Sequence, residues 1–269
     1  MKESIFERII GRLLEHTGSK KYDTGLVMSG GAARGFAHVG VFKALEENQI
    51  NIDIVSGVSA GSIAGSFYCD GFSPEEIFDI FEKNKVFDLV KLRFSRKGLL
   101  STSGLRKVLK NNLRTKKMED LPKPLVINAT NIEEGITTYF TEGNLVDIVV
   151  ASCSIPVVFE PAKINNVTYV DGGVTNNFPI EPLEDKCKRI IGVHINPTAP
   201  YDPQQGIGQI ALNSFHLGIA SDVSSKSQRI SDFIEPPGLE KFSYYDIKKG
   251  REMFDLGYNE AMKVLSRKN

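Results

Sequence analysis

The sequence predicts an α/β fold, with a mostly parallel central sheet and helices on both of its faces. Two observations carry that expectation. Short apolar runs rich in β-branched residues recur at Thr24–Ser29, at 52–56 and at Arg189–Ile195, and such runs are the mark of buried strands. The first two each enter a glycine-containing turn, and residues at helical spacing follow. These are Val39, Val41, Phe42, Ala44 and Leu45 in one case, and Ala60 to Tyr68 in the other. A β-α-β-α alternation pairs its strands in parallel, because each helix carries the chain back across one face of the sheet.

Taken in order, the chain opens with residues 1–20, where Ile5, Phe6, Ile9, Ile10, Leu13 and Leu14 fall on one helical face. Glu7, Arg8 and Arg12 interrupt the apolar stretch a signal peptide would need, so none is expected. The helix reads either as packed on the body or on a second copy in a homodimer, or as an interfacial membrane helix. Lys2, Arg8 and Arg12 favour the membrane, and Glu3, Glu7 and Glu15 oppose it. Residues 21–269 read as one domain. Ser73-Pro74-Glu75-Glu76 starts a helix with a serine cap, a first-turn proline and first-turn acids. From there to about Leu113 the chain is rich in large apolar residues, Phe87, Leu89, Leu92, Phe94, Leu99 and Leu100 among them, with Lys91, Arg93, Arg96 and Lys97 between. They read as core helices with a basic edge, or as a cap lined for an acyl chain and rimmed for phosphate. Leu125–Asn131 and Ile136–Phe140 form a hairpin across Glu133, Glu134 and Gly135. Leu145–Cys153 is helical, Val167–Val170 is a strand that stops at Asp171, and Tyr244 to Arg267 is a long amphipathic helix.

A length of 269 residues, 41% hydrophobic and 25% charged, suffices to bury one such core. Thirty-three Lys and Arg balance thirty-three Asp and Glu, which argues against nucleic acid as the partner. Cys69, Cys153 and Cys187 have no metal or disulfide spacing, so they read as small core residues of a reducing compartment. No apolar run reaches the ~18–20 residues of a membrane span. A cytoplasmic protein follows, with peripheral membrane contact through the leading helix as the alternative.

The chemistry centres on Ser59. Gly57, Ser59 and Gly61 give G-x-S-x-G between a strand and a helix, the setting of a nucleophile elbow. The serine's strained backbone there requires nearly side-chain-free residues two before and two after it. Gly30 to Gly35 also follows a strand and precedes a helix, so its N–H groups can face a developing negative charge. It lacks the G-K-[ST] of a P-loop and the spacing of a dinucleotide fingerprint. Arg34 either holds that loop or adds positive charge near an oxyanion or a lipid phosphate. For the base, His194 and His216 follow the nucleophile in the chain, and Asp171 stands at a strand end before two glycines. An acid so placed can take the serine proton without a histidine.

Four blocks in order, S-G-G-A-A-R-G-F-A-H-V-G-V, G-V-S-A-G-S, A-S-C-S-I-P-V-V-F-E-P and D-G-G, resemble the patatin-like phospholipases over about residues 24 to 196. The resemblance implies a three-layer α/β/α sandwich and a 21–269 catalytic domain that hydrolyses acyl esters of lipids, without metal or cofactor. It implies Ser59 as nucleophile and Asp171 as its dyad acid, with Gly30, Gly31, Ala32 and Arg34 as the oxyanion block. Ala151, Ser152, Pro156, Phe159 and Pro161 match a block that shapes the site. Bacterial members often carry G-G-G-A-R-G, so Ala32 replaces a glycine. The N–H survives that change unless the position needs positive φ. The histidines lie outside all four blocks, which leaves His194 as a sheet-end residue satisfied by its neighbours.

Overall fold

The computed structural model describes residues 20–84, 101–156, 158–197 and 223–266. The expected leading helix, the Phe87–Leu100 stretch and His216 lie outside the described residues.

Strand β1 (Tyr22–Met28) leads through the glycine loop into α1 (Phe36–Glu47), and β2 (Ile54–Gly57) leads through Ser59 into α2 (Ala60–Cys69). Helices α3 (Pro74–Asn84) and α4 (Ser103–Asn112) follow, then the hairpin β3 (Leu125–Asn131) and β4 (Ile136–Phe140). Next come α5 (Leu145–Ser152), β5 (Ala162–Ile164), β6 (Val167–Asp171), α6 (Glu181–Glu184) and β7 (Cys187–Val193). Strand β8 (Asp232–Ile234) and α7 (Gly250–Leu265) end the order. Helix α3 opens with a reciprocal capping box: Glu76 N–H donates to Ser73 Oγ at 3.2 Å, and Ser73 N–H to Glu76 Oε2 at 2.8 Å.

The strands form one sheet in the order β5-β6-β3-β2-β1-β7-β8, with β4 also on β3. Pairings from β3 through β8 are parallel, whereas β4 and β6 meet β3 antiparallel and β5 meets β6 antiparallel. Leu26, Met28, Val55, Leu125 and Ile127 enter the larger core with Phe36, Phe42, Phe67, Val149 and Met253. Val27, Ile54 and Val126 face the opposite layer with Phe178, Ile180 and Leu183. This alternation follows the two-residue period of a strand buried on both sides. The result is the expected three-layer α/β/α sandwich.

The register aligns the carboxyl ends where an open α/β sheet places its ligands. Met28 pairs with both Gly57 and Val193, and Gly57 with Ile127. The loops after β1, β2 and β7 therefore leave one edge together, and Asp171 joins them opposite Ala129. Helix α7 packs on α1 at backbone contact: side chains at Gly40 and Gly257 would run into the carbonyls of Phe254 and Ala37.

One boundary differs from expectation. The last helix starts at Gly250, and the chain from Phe242 to Lys249 turns instead. The Phe242 and Tyr244 carbonyls accept hydrogen bonds from the glycine loop, and Ser243 N–H donates to Asp246 Oδ2 at 2.8 Å. These long-range and turn contacts outweigh helical periodicity.

Candidate active site

Ser59 is the single residue between β2 and α2 that departs from ordinary backbone geometry, with φ 49° and ψ −119°. A non-glycine residue there is strained and needs its surroundings to hold it. A Cβ on Gly57 would lie 2.7 Å from the Gly61 carbonyl oxygen, and one on Gly61 would run into the Met28 carbonyl. Both glycines of the elbow are thus required by close approach. Ser59 N–H donates to Ser152 Oγ at 2.9 Å, and Ser62 Oγ donates to the Ser59 carbonyl at 2.7 Å. The Ser152 hydroxyl ties the start of α2 to α5, and the Ser62 hydroxyl braces the same turn from within α2.

The side chain of Ser59 lies beside the carboxyl of Asp171 and favours its charged form. Asp171 is held on every side: its N–H donates to the Ser154 carbonyl at 2.8 Å, and Thr130 Oγ1 donates to its carbonyl at 2.9 Å. Gly173 N–H donates to its Oδ1 at 2.8 Å. Burial disfavours the charged form and pushes this carboxyl up to about 7, against the opposing effects of the Ser59 side chain and Gly173 N–H. A carboxyl that titrates near neutrality can give and take a proton at working pH. The Cys153 thiol also touches the Ser59 and Ser62 side chains; burial, then the nearby Asp171, raise its pKa and keep it neutral.

The glycine loop abuts this pair, for a Cβ on Gly30 would lie 3.1 Å from that of Ser59. Gly30 N–H donates to Asn177 Oδ1 at 3.2 Å, Ala33 N–H to the Tyr244 carbonyl at 3.2 Å, and Arg34 N–H to the Gly31 carbonyl at 3.1 Å. Among the described residues, no hydrogen bond engages the N–H of Gly31 or Ala32. Ala32 stands at φ 48°, in the left-handed region, so the replaced glycine position does carry positive φ. The loop then passes into α1, whose amino end adds positive potential. Of the two readings of Arg34, the structure places it behind the loop. Its Nε and Nη2 donate to the Phe242 carbonyl at 3.2 and 3.0 Å, and Nη1 to Asn196 Oδ1 at 2.7 Å.

Neither described histidine bonds to the pair. His194 Nδ1 meets Glu235 Oε2 at 2.8 Å and its ring stacks on Phe233, the neighbour-satisfied state expected of it. His38 is buried with its pKa lowered to about 4 by that burial, so the neutral ring donates Nε2–H to the Ser29 carbonyl at 2.9 Å. Among the described residues, no three His, Cys, Asp or Glu side chains gather as metal ligands would, and no helix is long and apolar enough to cross a membrane.

Two supporting residues had no assigned role in the sequence reading. Asn177 joins the glycine loop to the Asp-Gly-Gly turn, because its Oδ1 accepts from Gly30 and leaves room at Gly173 for no Cβ. Asn128 lies inside buried β3 and donates Nδ2–H to the Gly172 and Asn176 carbonyls at 3.3 and 3.0 Å. An asparagine within a buried strand must find partners, and that was its available signal.

Known proteins similar to the chain include lipid hydrolases. The chain is 26% identical to lysophospholipase NTE1 of Kluyveromyces lactis across 91% of its own length, yet it spans only 19% of that protein. It is 34% identical to probable lipid hydrolase 463L of Invertebrate iridescent virus 6, across 60% of this chain and 63% of the other. It is 31% identical to the uncharacterized Bacillus subtilis protein YqhO, across 71% and 76%. Among solved structures, VipD of Legionella pneumophila shares the fold, with TM-score 0.56 at 18% identity over 93% of this chain and 67% of that one. With residues 26–184 of its 269 matching the patatin-like phospholipases, this chain belongs to that family.

Proposed function

We propose that the chain is a lipid acyl hydrolase working through a Ser59–Asp171 dyad. The observation that carries this reading is the placement of Ser59, at φ 49° on a strand-to-helix turn, beside a buried carboxyl poised near neutrality. The names of two relatives, a lysophospholipase and a probable lipid hydrolase, support a phospholipid or lysophospholipid as substrate. Such substrates reside in bilayers and micelles, so the enzyme acts peripherally at them. The catalytic unit in this reading is residues 21–269.

In its ionised form Asp171 accepts the proton of Ser59 as the serine oxygen attacks the acyl carbonyl. The tetrahedral oxyanion receives the N–H groups of Gly31 and Ala32, whose loss in related chemistry costs ~3–4 kcal/mol per donor. Asp171 returns the proton to the departing alcohol, leaving an acyl ester on Ser59. A water then gives its proton to Asp171 and attacks that ester, and the fatty acid leaves as Ser59 is reprotonated. Gly30, by its contact with Asn177, and Arg34, by its contacts behind the loop, fix the donors in place.

The deciding experiment measures fatty-acid release from a lysophospholipid, and p-nitrophenol release from butyrate and decanoate esters, for the wild type, Ser59→Ala and Asp171→Asn. Turnover that both variants abolish is expected. Turnover retained by folded Asp171→Asn would remove the dyad, and a folded wild type inert on every ester would favour a partner-binding role. Release of acyl-glycerol instead of free acid on adding glycerol would identify acyl transfer.

A further inference from the structure

The glycine loop is held from behind by a part of the chain beyond the family match, which ends at residue 184. Three attachments converge there. Ala33 N–H donates to the Tyr244 carbonyl at 3.2 Å. The Arg34 guanidinium places two nitrogens on the Phe242 carbonyl and a third on Asn196 Oδ1, and it lies 4.4 Å over the Tyr244 ring. The Tyr244 hydroxyl donates to the same Asn196 Oδ1 at 2.7 Å. Arg34, Asn196, Phe242 and Tyr244 are all buried, so water cannot replace a lost partner and each orphaned group carries its desolvation cost.

Resting on the dyad reading, we infer that Asn196 and the Phe242–Tyr244 segment form a strap that sets the geometry of the oxyanion donors, with Asn196 and Tyr244 as positioning residues. Ala33 and Arg34 are tethered, while among the described residues the preceding Gly31 and Ala32 N–H groups stay unengaged. The tether therefore acts immediately beside the atoms the oxyanion would meet. Ala32 at φ 48° is unfavourable by itself, so something must oppose its relaxation, and the strap is placed to do so. The anchor is rigid: Gly250 begins α7 against the Phe36 ring, and α7 crosses α1 at backbone contact. The amino end of α1 follows the loop directly, so the strap and the helix pair meet the loop through continuous packing.

Asn196→Ala removes the acceptor that Arg34 and Tyr244 share, and Tyr244→Phe removes only the hydroxyl. Rates are expressed per active site, titrated with a fluorophosphonate that esterifies Ser59. For Asn196→Ala, kcat should fall about 10- to 100-fold with KM within about twofold, the cost of donors displaced by a fraction of an ångström. Tyr244→Phe should lose about 3- to 10-fold. The inhibition constant of a trifluoromethyl ketone, which forms an oxyanion on Ser59, should rise by the same factors. Deuterium uptake over residues 30–35 should increase while that of α2 does not. Unchanged per-site kcat and ketone affinity would overturn the strap, including where the variants lose activity only by unfolding. Ser59→Ala runs alongside. If it keeps turnover, the dyad reading fails, and the deuterium uptake still decides the strap on its own.

Discussion

Ser152 Oγ accepts the backbone N–H of Ser59 at 2.9 Å, so the amide of the proposed nucleophile is committed to α5 and not to the site in front of it. Ser152 is fully buried, and its hydroxyl stabilises a backbone with φ 49° that has no intrinsic stability. Ser152→Ala would leave the Ser59 amide without a partner, at a cost of about 1–3 kcal/mol. The expected result is a melting temperature lowered by several degrees and a kcat reduced at least about tenfold. Calorimetry and ester turnover on one preparation check both. Full activity at a lowered melting temperature would leave Ser152 a stabilising residue alone.

In the proposed dyad Asp171 must be ionised to take the serine proton, and burial pushes its pKa up to about 7. The limiting rate of acylation is therefore expected to rise with pH through about 7 and level off above it. Asn177 Oδ1 and Asp171 Oδ1 stand on the same side of Gly173: a Cβ there would meet them at 2.9 and 3.0 Å. Asn177→Asp adds a second carboxylate there, which disfavours ionisation of the first. Its pH–rate limb should move upward by about one unit. A limb that stayed in place would show that Asp171 does not govern it.

How much of this site was readable in advance depends on how local its causes are. Ser59 was legible because strand, G-x-S-x-G and helix are contiguous, and the glycines answer clashes within the same elbow. Asp171 was legible as a residue at a strand end before two glycines, and the alternation of apolar strand runs with helically spaced residues gave the layers. The partners that hold them were not. Ser152 lies 93 positions from Ser59, and Asn177 lies 147 from Gly30, so only the folded register brings them together. Tyr244 misled the reading for the same reason. Its apolar spacing suits a helix, yet its carbonyl and hydroxyl are drawn to Ala33 and Asn196.

A buried carboxyl proposed as the base should cost stability. A carboxyl whose folded pKa is raised is favoured in its neutral form, so its contribution is intact below the unfolded value near 4 and is lost as pH climbs through about 7. At pH 8 wild type carries a buried, ionised Asp171 and Asp171→Asn does not. The variant should therefore be inactive and more stable at pH 8, by up to a few kcal/mol. At pH 5 the difference should shrink, since the carboxyl is then neutral in the folded protein. Denaturant midpoints at the two pH values test this, and equal gaps at both would mean that Asp171 is not raised.

Ala32 offers the sharpest test of loop geometry, because its φ of 48° is one an L-residue adopts at a cost. Ala32→Gly relieves that strain, about 1–2 kcal/mol, but returns about 0.4–1 kcal/mol of entropy to the unfolded chain. A net gain of up to about 1.6 kcal/mol follows, with turnover within about threefold of wild type, since the N–H is unchanged. Ala32→Val keeps the N–H as well, yet a β-branched residue resists positive φ more strongly. The loop should then rotate toward negative φ, turning the Ala32 N–H away from Ser59. Its kcat should fall at least about tenfold while KM changes little. Equal kcat in these two variants would mean that the amide at this position takes no part in holding the oxyanion, leaving Gly31 to act without it.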